Sequence, residues 1–281
     1  MKKQIRKCYG IFLCVLFLLS GCAKQYDDPG LENPGVKVTF FDVGKGDAIL
    51  VETKGHTMMI DAGYDDTYKV IKDYLSRQGI QKLDYLVITH FDKDHVGGAD
   101  HVINNFAVET ILQPDYQSDA GQYLEYCAVL ERKGIQPDLV TDSMQFVLDG
   151  AEFYVFPPQE ESYKEEDNDF SLVISMAYGE KSFLFAGDSE KVRIGELLEQ
   201  KEFVLSHDLL KVPHHGKKED NSKEFFEAVA PEIAVITCSD EQPASNKVYD
   251  MLEGLGTKIY LTSDGTVTCL CDGGSLQIVQ D

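Results

Sequence analysis

The metal-binding side chains of residues 89–98, THFDKDHVGG, limit the folds open to this chain. Two histidines and two aspartates fall within six positions, directly after the apolar run LDYLVI. Such a run is typical of a buried strand. Imidazole and carboxylate groups at the end of a buried strand are well placed to bind a metal ion. The segment therefore predicts a metal site at a strand end, provided that other segments supply further ligands.

Further candidate ligands follow later strand-like runs. The segment FLFAGDSE ends such a run with an aspartate, and LLKVPHHGK ends one with a pair of histidines. Within the first segment, the spacing lets one His/Asp pair point to one side of a loop and the next pair reach a neighbouring point, which suits two adjacent metal ions. The candidate metal ligands are His90, Asp92, Asp94, His95, Asp188, His214 and His215.

Strand-like and helix-like patterns alternate along the chain and predict an α/β protein. Strands are expected at 36–43, 47–53, 57–61, 83–90, 151–156, 171–178, 181–187, 208–214 and 232–238. Helices are expected at 66–79, 190–200, 224–228 and 248–255. Two β-rich halves with outer helices predict a layered sandwich that forms a single domain over residues 36–281.

The first 21 residues have the layout of an export signal. Four Lys or Arg residues precede an apolar run from Ile11 to Leu19, and LSGC follows. LSGC resembles the lipobox of bacterial lipoproteins, which predicts a signal peptide over 1–21, a lipid on Cys22 and a polar tether over 22–35. The protein is then expected to be exported and held on the outer face of the cell membrane. A plain secretory signal or an uncleaved anchor helix is the alternative.

Charge and cysteine content narrow the function classes. The formal net charge is −22, and loss of residues 1–21 would remove four further positive charges. A field of this sign argues against tight non-specific binding of nucleic acid, although it does not exclude nucleic acid as a transient substrate. Beyond Cys22 the cysteines show no dense disulfide framework and no pairing can be fixed: they are Cys127, Cys238, Cys269 and Cys271. Cys269 and Cys271 share one side of a strand-like stretch and are expected in the core.

Six sequence blocks occur in an order that resembles the metallo-β-lactamase superfamily, and more closely the hydrolase domain of ComEC-type competence proteins. The blocks are FFDVGKGDAILVE, MMIDAG, THFDKDHVGG, NDFSLV, FAGDSE and LKVPHHGK. The resemblance implies a four-layer αββα sandwich with two divalent metal ions, zinc or manganese, between its sheets. It also implies hydrolysis by a metal-activated water.

The resemblance assigns roles to individual residues. It implies that Asp188 bridges the two ions and that one of His214 and His215 is a ligand, without saying which. The resemblance also makes Asp94 and His215 the predicted catalytic residues. Asp94 is expected to orient the nucleophile. Whichever of His214 and His215 does not bind metal is the expected proton donor. Two further residues, Asp61 and Asn168, are expected to support the ligands.

Three positions depart from the usual family pattern. Asp92 replaces the second histidine of the loop, and Asn168 stands near the third histidine position. These oxygen-rich changes favour manganese or magnesium over a three-histidine zinc site. Gln242 precedes Pro243 where relatives usually have a histidine, which puts in doubt any phosphate-binding or proton-transfer role at that position.

Three function classes follow. The first is a metal-dependent phosphodiesterase or nuclease, with a phosphodiester substrate such as DNA that is bound weakly. The second is a hydrolase of small esters, lactones or β-lactams, and the third is a non-catalytic binding lipoprotein. No protein partner can be read from the sequence. His56, His101 and His207 match no ligand position and are expected at the surface, and the acidic stretch 159–169 is expected to be a solvated loop.

Overall fold

The computed structural model describes residues 34–164, 167–201 and 204–281. The predicted signal peptide, the predicted lipidation site Cys22 and most of the predicted tether lie outside the described residues. Among the helices that are described, none has the length and apolar character needed to cross a membrane.

The described residues of the first half, from 34 onwards, form six strands and four α-helices. The strands are β1 (Val36–Phe40), β2 (Ile49–Glu52), β3 (Thr57–Ile60), β4 (Lys82–Val87), β5 (Ala107–Pro114) and β6 (Asp138–Val140). The helices are α1 (Tyr68–Arg77), α2 (Lys93–Val96), α3 (Ala99–Asn105) and α4 (Gly121–Lys133).

In the second half, the part that the structure describes adds nine strands and three α-helices. The strands are β7 (Met144–Leu148), β8 (Ala151–Phe156), β9 (Val173–Tyr178), β10 (Lys181–Phe185), β11 (Leu209–Lys211), β12 (Ile233–Ile236), β13 (Lys258–Leu261), β14 (Val267–Cys271) and β15 (Leu276–Gln280). The helices are α5 (Lys191–Glu199), α6 (Ser222–Val229) and α7 (Asn246–Gly254).

The strands form two sheets that pack face to face. The first has the order β15-β14-β1-β2-β3-β4-β5-β6 and the second β13-β12-β11-β10-β9-β8-β7. The neighbours β3, β4, β5 and β6 run parallel, as do β10, β11, β12 and β13. One apolar core lies between the sheets, and two others lie between each sheet and its helices. The predicted four-layer αββα sandwich is confirmed.

Strand β2 shows why a strand in the middle of a sheet has apolar side chains on both of its faces. Ile49 and Val51 join the core between the sheets, while Leu50 points the other way into the core under the helices. A strand that is covered on both faces has no solvent side, so its sequence is a continuous apolar run. Cys269 and Cys271 of β14 both lie in the inter-sheet core, as expected.

One surface prediction was wrong, and another holds for only part of its stretch. His207 is buried. Its ring nitrogens lie 2.7 Å from Ser175 Oγ and 2.9 Å from the Leu205 carbonyl oxygen, so both nitrogens have hydrogen-bond partners in the interior. Asp169, in the acidic stretch, is also buried. It accepts hydrogen bonds of 3.1 Å from the backbone N–H groups of Glu190 and Arg193. These bonds satisfy backbone donors at the start of α5, where a helix has no internal partners for them.

Candidate metal centre

The predicted ligands gather at one edge of the sandwich because the strands that carry them end there. In parallel strands the carboxyl ends meet at the same edge of the sheet. Strands β3 and β4 are parallel neighbours in one sheet, and β10 and β11 are parallel neighbours in the other. The residues that follow these four strands are Asp61, then His90, Asp92, Asp94 and His95, then Asp188, and finally His214 and His215.

Four buried side chains form the centre of the site: Asp94, His95, Asp188 and His215. One potential ligand atom from each lies within 4.8 Å of the others. His95 Nε2 is 3.3 Å from Asp188 Oδ1, and His215 Nε2 is 3.0 Å from Asp188 Oδ2. His215 Nε2 is also 3.5 Å from Asp94 Oδ2. Two imidazoles and two carboxylates that converge in this way are a donor set for a divalent metal ion.

Each histidine of this cluster is held by its other ring nitrogen. His95 Nδ1 lies 2.8 Å from Asp61 Oδ2, and His215 Nδ1 lies 2.9 Å from the Thr237 carbonyl oxygen. Asp61 is itself fixed by Thr89, whose N–H and hydroxyl both donate to it at 2.7 Å. Contacts of this kind orient a metal-binding imidazole so that Nε2 faces the ion. Asp61 therefore sits where a supporting role requires it.

A second group of donors lies beside the cluster. His90 is fully buried, and its ring centroid is 4.0 Å from that of His95. His90 Nδ1 is 3.0 Å from the Thr89 hydroxyl, but Nε2 has no hydrogen-bond partner among the described residues. Asp92 Oδ2 is 3.7 Å from this Nε2. A buried ring nitrogen without a partner is costly, and a metal ion would satisfy it. The donors therefore fit two ions, one at the cluster and one at His90.

His214 does not join the four-residue cluster. Its Nδ1 lies 2.9 Å from Glu190 Oε1, and its Nε2 lies 3.9 Å from Asp188 Oδ2. The contact with His214 is the largest cause that lowers the pKa of Glu190, to about 2, and Lys217 acts in the same direction against the effect of burial. Asn168 donates a 3.2 Å hydrogen bond to Glu190, so it reaches the site through that carboxylate.

The backbone separates the roles of the two adjacent histidines. His214 and His215 have φ values of 46° and 52°, in the left-handed region that residues with a side chain rarely occupy. They lie in the 3-10 turn Pro213–Gly216, which follows β11 directly. Two successive residues in this conformation turn one ring into the cluster and the other towards Glu190. Backbone strain of this kind is typical of functional sites.

Sequence reasoning missed a buried lysine at the site. Lys211 of β11 is fully buried, and its ammonium contacts Asp47, the Gly187 carbonyl oxygen at 2.9 Å and Asp188 Oδ1 at 3.4 Å. Asp47 also accepts a 2.6 Å hydrogen bond from the Thr237 hydroxyl. The only signal in the sequence was a lysine inside the apolar run LLKV. Asp47 is thus the ion-pair partner of this lysine.

The charges of the site stabilise one another. Burial alone would raise the pKa of Asp188, but His215, His95 and Lys211 outweigh it and hold that pKa well below its ordinary range. Burial alone would lower the pKa of His95, but Asp188 and Asp61 raise it well above the ordinary value. The carboxylates are therefore ionised and ready to bind a cation, and a metal ion at His95 must displace a proton.

Comparison with known proteins fits this geometry. Residues 41–239 match the Metallo-beta-lactamase superfamily. The chain belongs to the metallo-β-lactamase superfamily. Within it, the chain is 26% identical to ComE operon protein 3 of Bacillus subtilis, over 92% of this chain and 35% of that protein. It is 27% identical to Recombination protein 2 of Haemophilus influenzae, over 87% of this chain and 28% of that protein. The chain thus spans about a third of the length of these relatives.

Solved structures of the superfamily share the fold. Igni18, a metallo hydrolase from Ignicoccus hospitalis, superposes with a TM-score of 0.55 and 20% identity, over 88% of this chain and 99% of that one. YhfI from Bacillus subtilis superposes with a TM-score of 0.53 and 11% identity, over 80% of this chain and 96% of that one. The superfamily and the buried His/Asp cluster together support a metal-dependent hydrolase that uses divalent ions.

Proposed function

We propose that the protein is a two-metal phosphodiesterase that cleaves nucleic acid. The observation that carries the proposal is the buried cluster of Asp94, His95, Asp188 and His215, with the unpartnered Nε2 of His90 beside it. When bound, two divalent ions polarise a phosphodiester and lower the pKa of a water molecule. His90 and Asp92 would hold one ion, and the cluster would hold the other.

The geometry favours His215 as a ligand and His214 as the proton donor. His215 presents Nε2 to the cluster, so it is not available to protonate a leaving group. His214 keeps Nε2 near Asp188 and faces Glu190 with Nδ1. The Glu190 carboxylate holds the ring through Nδ1, which leaves Nε2 as the atom that can give a proton to the leaving oxygen. This revises the prediction that His215 is catalytic and leaves Asp94 to bind the ion and orient the nucleophile.

We favour nucleic acid as the substrate because of the proteins that this chain is similar to. One of these relatives is named for recombination, and the ordered sequence blocks resemble a hydrolase domain associated with degrading one DNA strand during uptake. The net charge of −22 argues for weak binding that needs bound metal and falls steeply with salt. We expect the protein to act at the outer face of the cell membrane, held by a lipid on Cys22, where incoming DNA is met.

The test is cleavage of single-stranded DNA, double-stranded DNA and bis-p-nitrophenyl phosphate by the purified protein, in manganese and in zinc. We expect metal-dependent cleavage that a chelator abolishes and that Asp188→Ala loses. Asp65→Ala, which removes an exposed carboxylate from outside the centre, is the control and should keep activity. Turnover of a lactone or a β-lactam with no cleavage of any phosphodiester would contradict the proposal.

A further inference from the structure

An open hollow of about 480 Å³ adjoins the metal centre, with His214 and His215 in its wall. Its lining also includes Lys45, Lys217 and Lys218, and it includes no acidic residue. This is unexpected in a chain with 48 Asp and Glu against 26 Lys and Arg. The hollow therefore gathers three lysine ammonium groups beside the candidate metal centre of an acidic protein. Each ammonium also pairs with a carboxylate: Lys45 with Asp94 at 3.4 Å, Lys217 with Glu190 at 2.6 Å and Lys218 with Asp220 at 3.8 Å.

A second hollow nearby has the opposite character. It measures about 520 Å³, and Asp119 and Asp167 are among its lining residues, together with Tyr116. Tyr116 is uncharged. Its hydroxyl accepts a hydrogen bond from the backbone N–H of Phe91, the residue next to His90. The carboxylates of this hollow would repel a polyanion, whereas the lysine ammonium groups of the first hollow would attract one.

The three lysines come from two separate segments that meet at the hollow. Lys45 lies between β1 and β2, and its Nζ is 3.4 Å from Asp94 Oδ2. Lys217 and Lys218 follow the 3-10 turn that carries the two histidines, and their side chains are 54% and 32% exposed. Their acidic partners stand outside the lining of the hollow. A lysine ammonium has three donors, so each can bind a phosphate oxygen as well as its partner.

We propose that Lys45, Lys217 and Lys218 bind a phosphate adjacent to the one being cleaved. A strand with successive phosphates, such as nucleic acid, is then cleaved in preference to an isolated phosphodiester. The inference rests on the proposed phosphodiesterase function. An ammonium is a compact charge that suits phosphate, and the local cations offset the repulsion of the whole chain. Gln242, which is neutral, lines the same hollow at the position where relatives usually have a histidine, so the lysines supply the charge there.

The experiment uses the metal-loaded full chain and three substrates: a thymidine dinucleotide with only its internucleotide phosphate, and the same dinucleotide with an added 5′ or 3′ phosphate. We expect the added phosphate at one end to raise kcat/KM by about fivefold for each lysine that it contacts, at low salt. In Lys218→Glu this preference should fall by at least about fivefold without disappearing, because Lys45 and Lys217 remain. Lys218 is the best residue to change, because it contacts neither His214 nor Glu190 in the structure.

The matched control is Lys223→Glu on α6. It makes the same charge change at a side chain that is 69% exposed and pairs with Glu227, outside the hollow, so it should keep the preference. As a second readout, the salt dependence of binding to a single-stranded oligonucleotide should become shallower by about 0.7 in log–log slope in Lys218→Gln.

The possible failures are distinguishable. If the wild type cleaves all three dinucleotides with equal kcat/KM, or if Lys218→Glu keeps the preference, the lysine subsite is refuted while the phosphodiesterase function stands. If none of the dinucleotides and no other phosphodiester is cleaved, the proposed function is refuted and the subsite falls with it.

Discussion

Replacing Lys211 with methionine tests whether the site is assembled by its buried charges. Lys211 is fully buried, and its ammonium is shared between Asp47 and Asp188, which are each 1% exposed. Methionine keeps much of the side-chain volume but leaves both carboxylates without this partner. Removal of one member of a buried ion pair costs about 3–5 kcal/mol, because the charge left behind is uncompensated. For a domain of this size the loss corresponds to a fall in Tm of about 10 °C.

The assay is thermal and urea unfolding of the metal-free protein, followed by the same measurement with added manganese. Divalent ions bring positive charge to Asp188, so we expect manganese to stabilise Lys211→Met more than it stabilises the wild type. Lys69→Met, which breaks an ion pair on α1 at a side chain that is 83% exposed, should cost less than about 1 kcal/mol. The reasoning is refuted if Lys211→Met is no less stable than Lys69→Met.

Three further predictions concern Asp61, His207 and Cys22. Asp61→Ala removes the partner of His95 and Thr89 and should weaken manganese binding by about 10- to 100-fold in calorimetric titration; an unchanged affinity would show that Asp61 does not orient the ligand. Burial lowers the pKa of His207 below its ordinary 6.5. As the pH falls, this histidine is therefore protonated in the unfolded chain before it is protonated in the folded chain. The wild type should therefore lose stability below about pH 6.5, and His207→Gln should lose less in urea unfolding. Radiolabelled palmitate should be incorporated into the wild-type protein in cells but not into Cys22→Ala, and label retained by the variant would exclude the lipid anchor.

Local patterns predicted the elements that bear the site. The predicted strand at 151–156 matches β8, and that at 181–187 contains β10 and the residues that lead to Asp188. Each has an apolar run closed by a turn signal, and such runs depend little on distant contacts. No element was predicted between 97 and 150, where the structure has α3, β5, α4, β6 and β7. Exposed residues alternate with half-buried ones at the start of β5, so its apolar signal is weak.

The unpredicted part of the site depends on contacts between distant residues. Asp47 and Lys211 meet across two sheets, and neither residue has a local feature that names its partner. His214 and His215 are adjacent in sequence, and only the backbone conformation shows that one joins the cluster and the other faces Glu190. The ligand types and their order were readable because each group of ligands follows a strand, whereas the charges behind the ligands come from the packing of the sheets.

Metal stoichiometry tests the candidate metal centre most directly. The protein should be loaded with manganese, desalted and analysed by elemental analysis, with the double variant Asp94→Ala/His95→Ala beside it. The control is Asp65→Ala/His101→Ala, which removes the same residue types from a more exposed group outside the centre. We predict about two ions per chain in the wild type and the control, and a loss of at least one in the Asp94→Ala/His95→Ala variant. An unchanged metal content in that variant would show that the buried cluster is not the metal site.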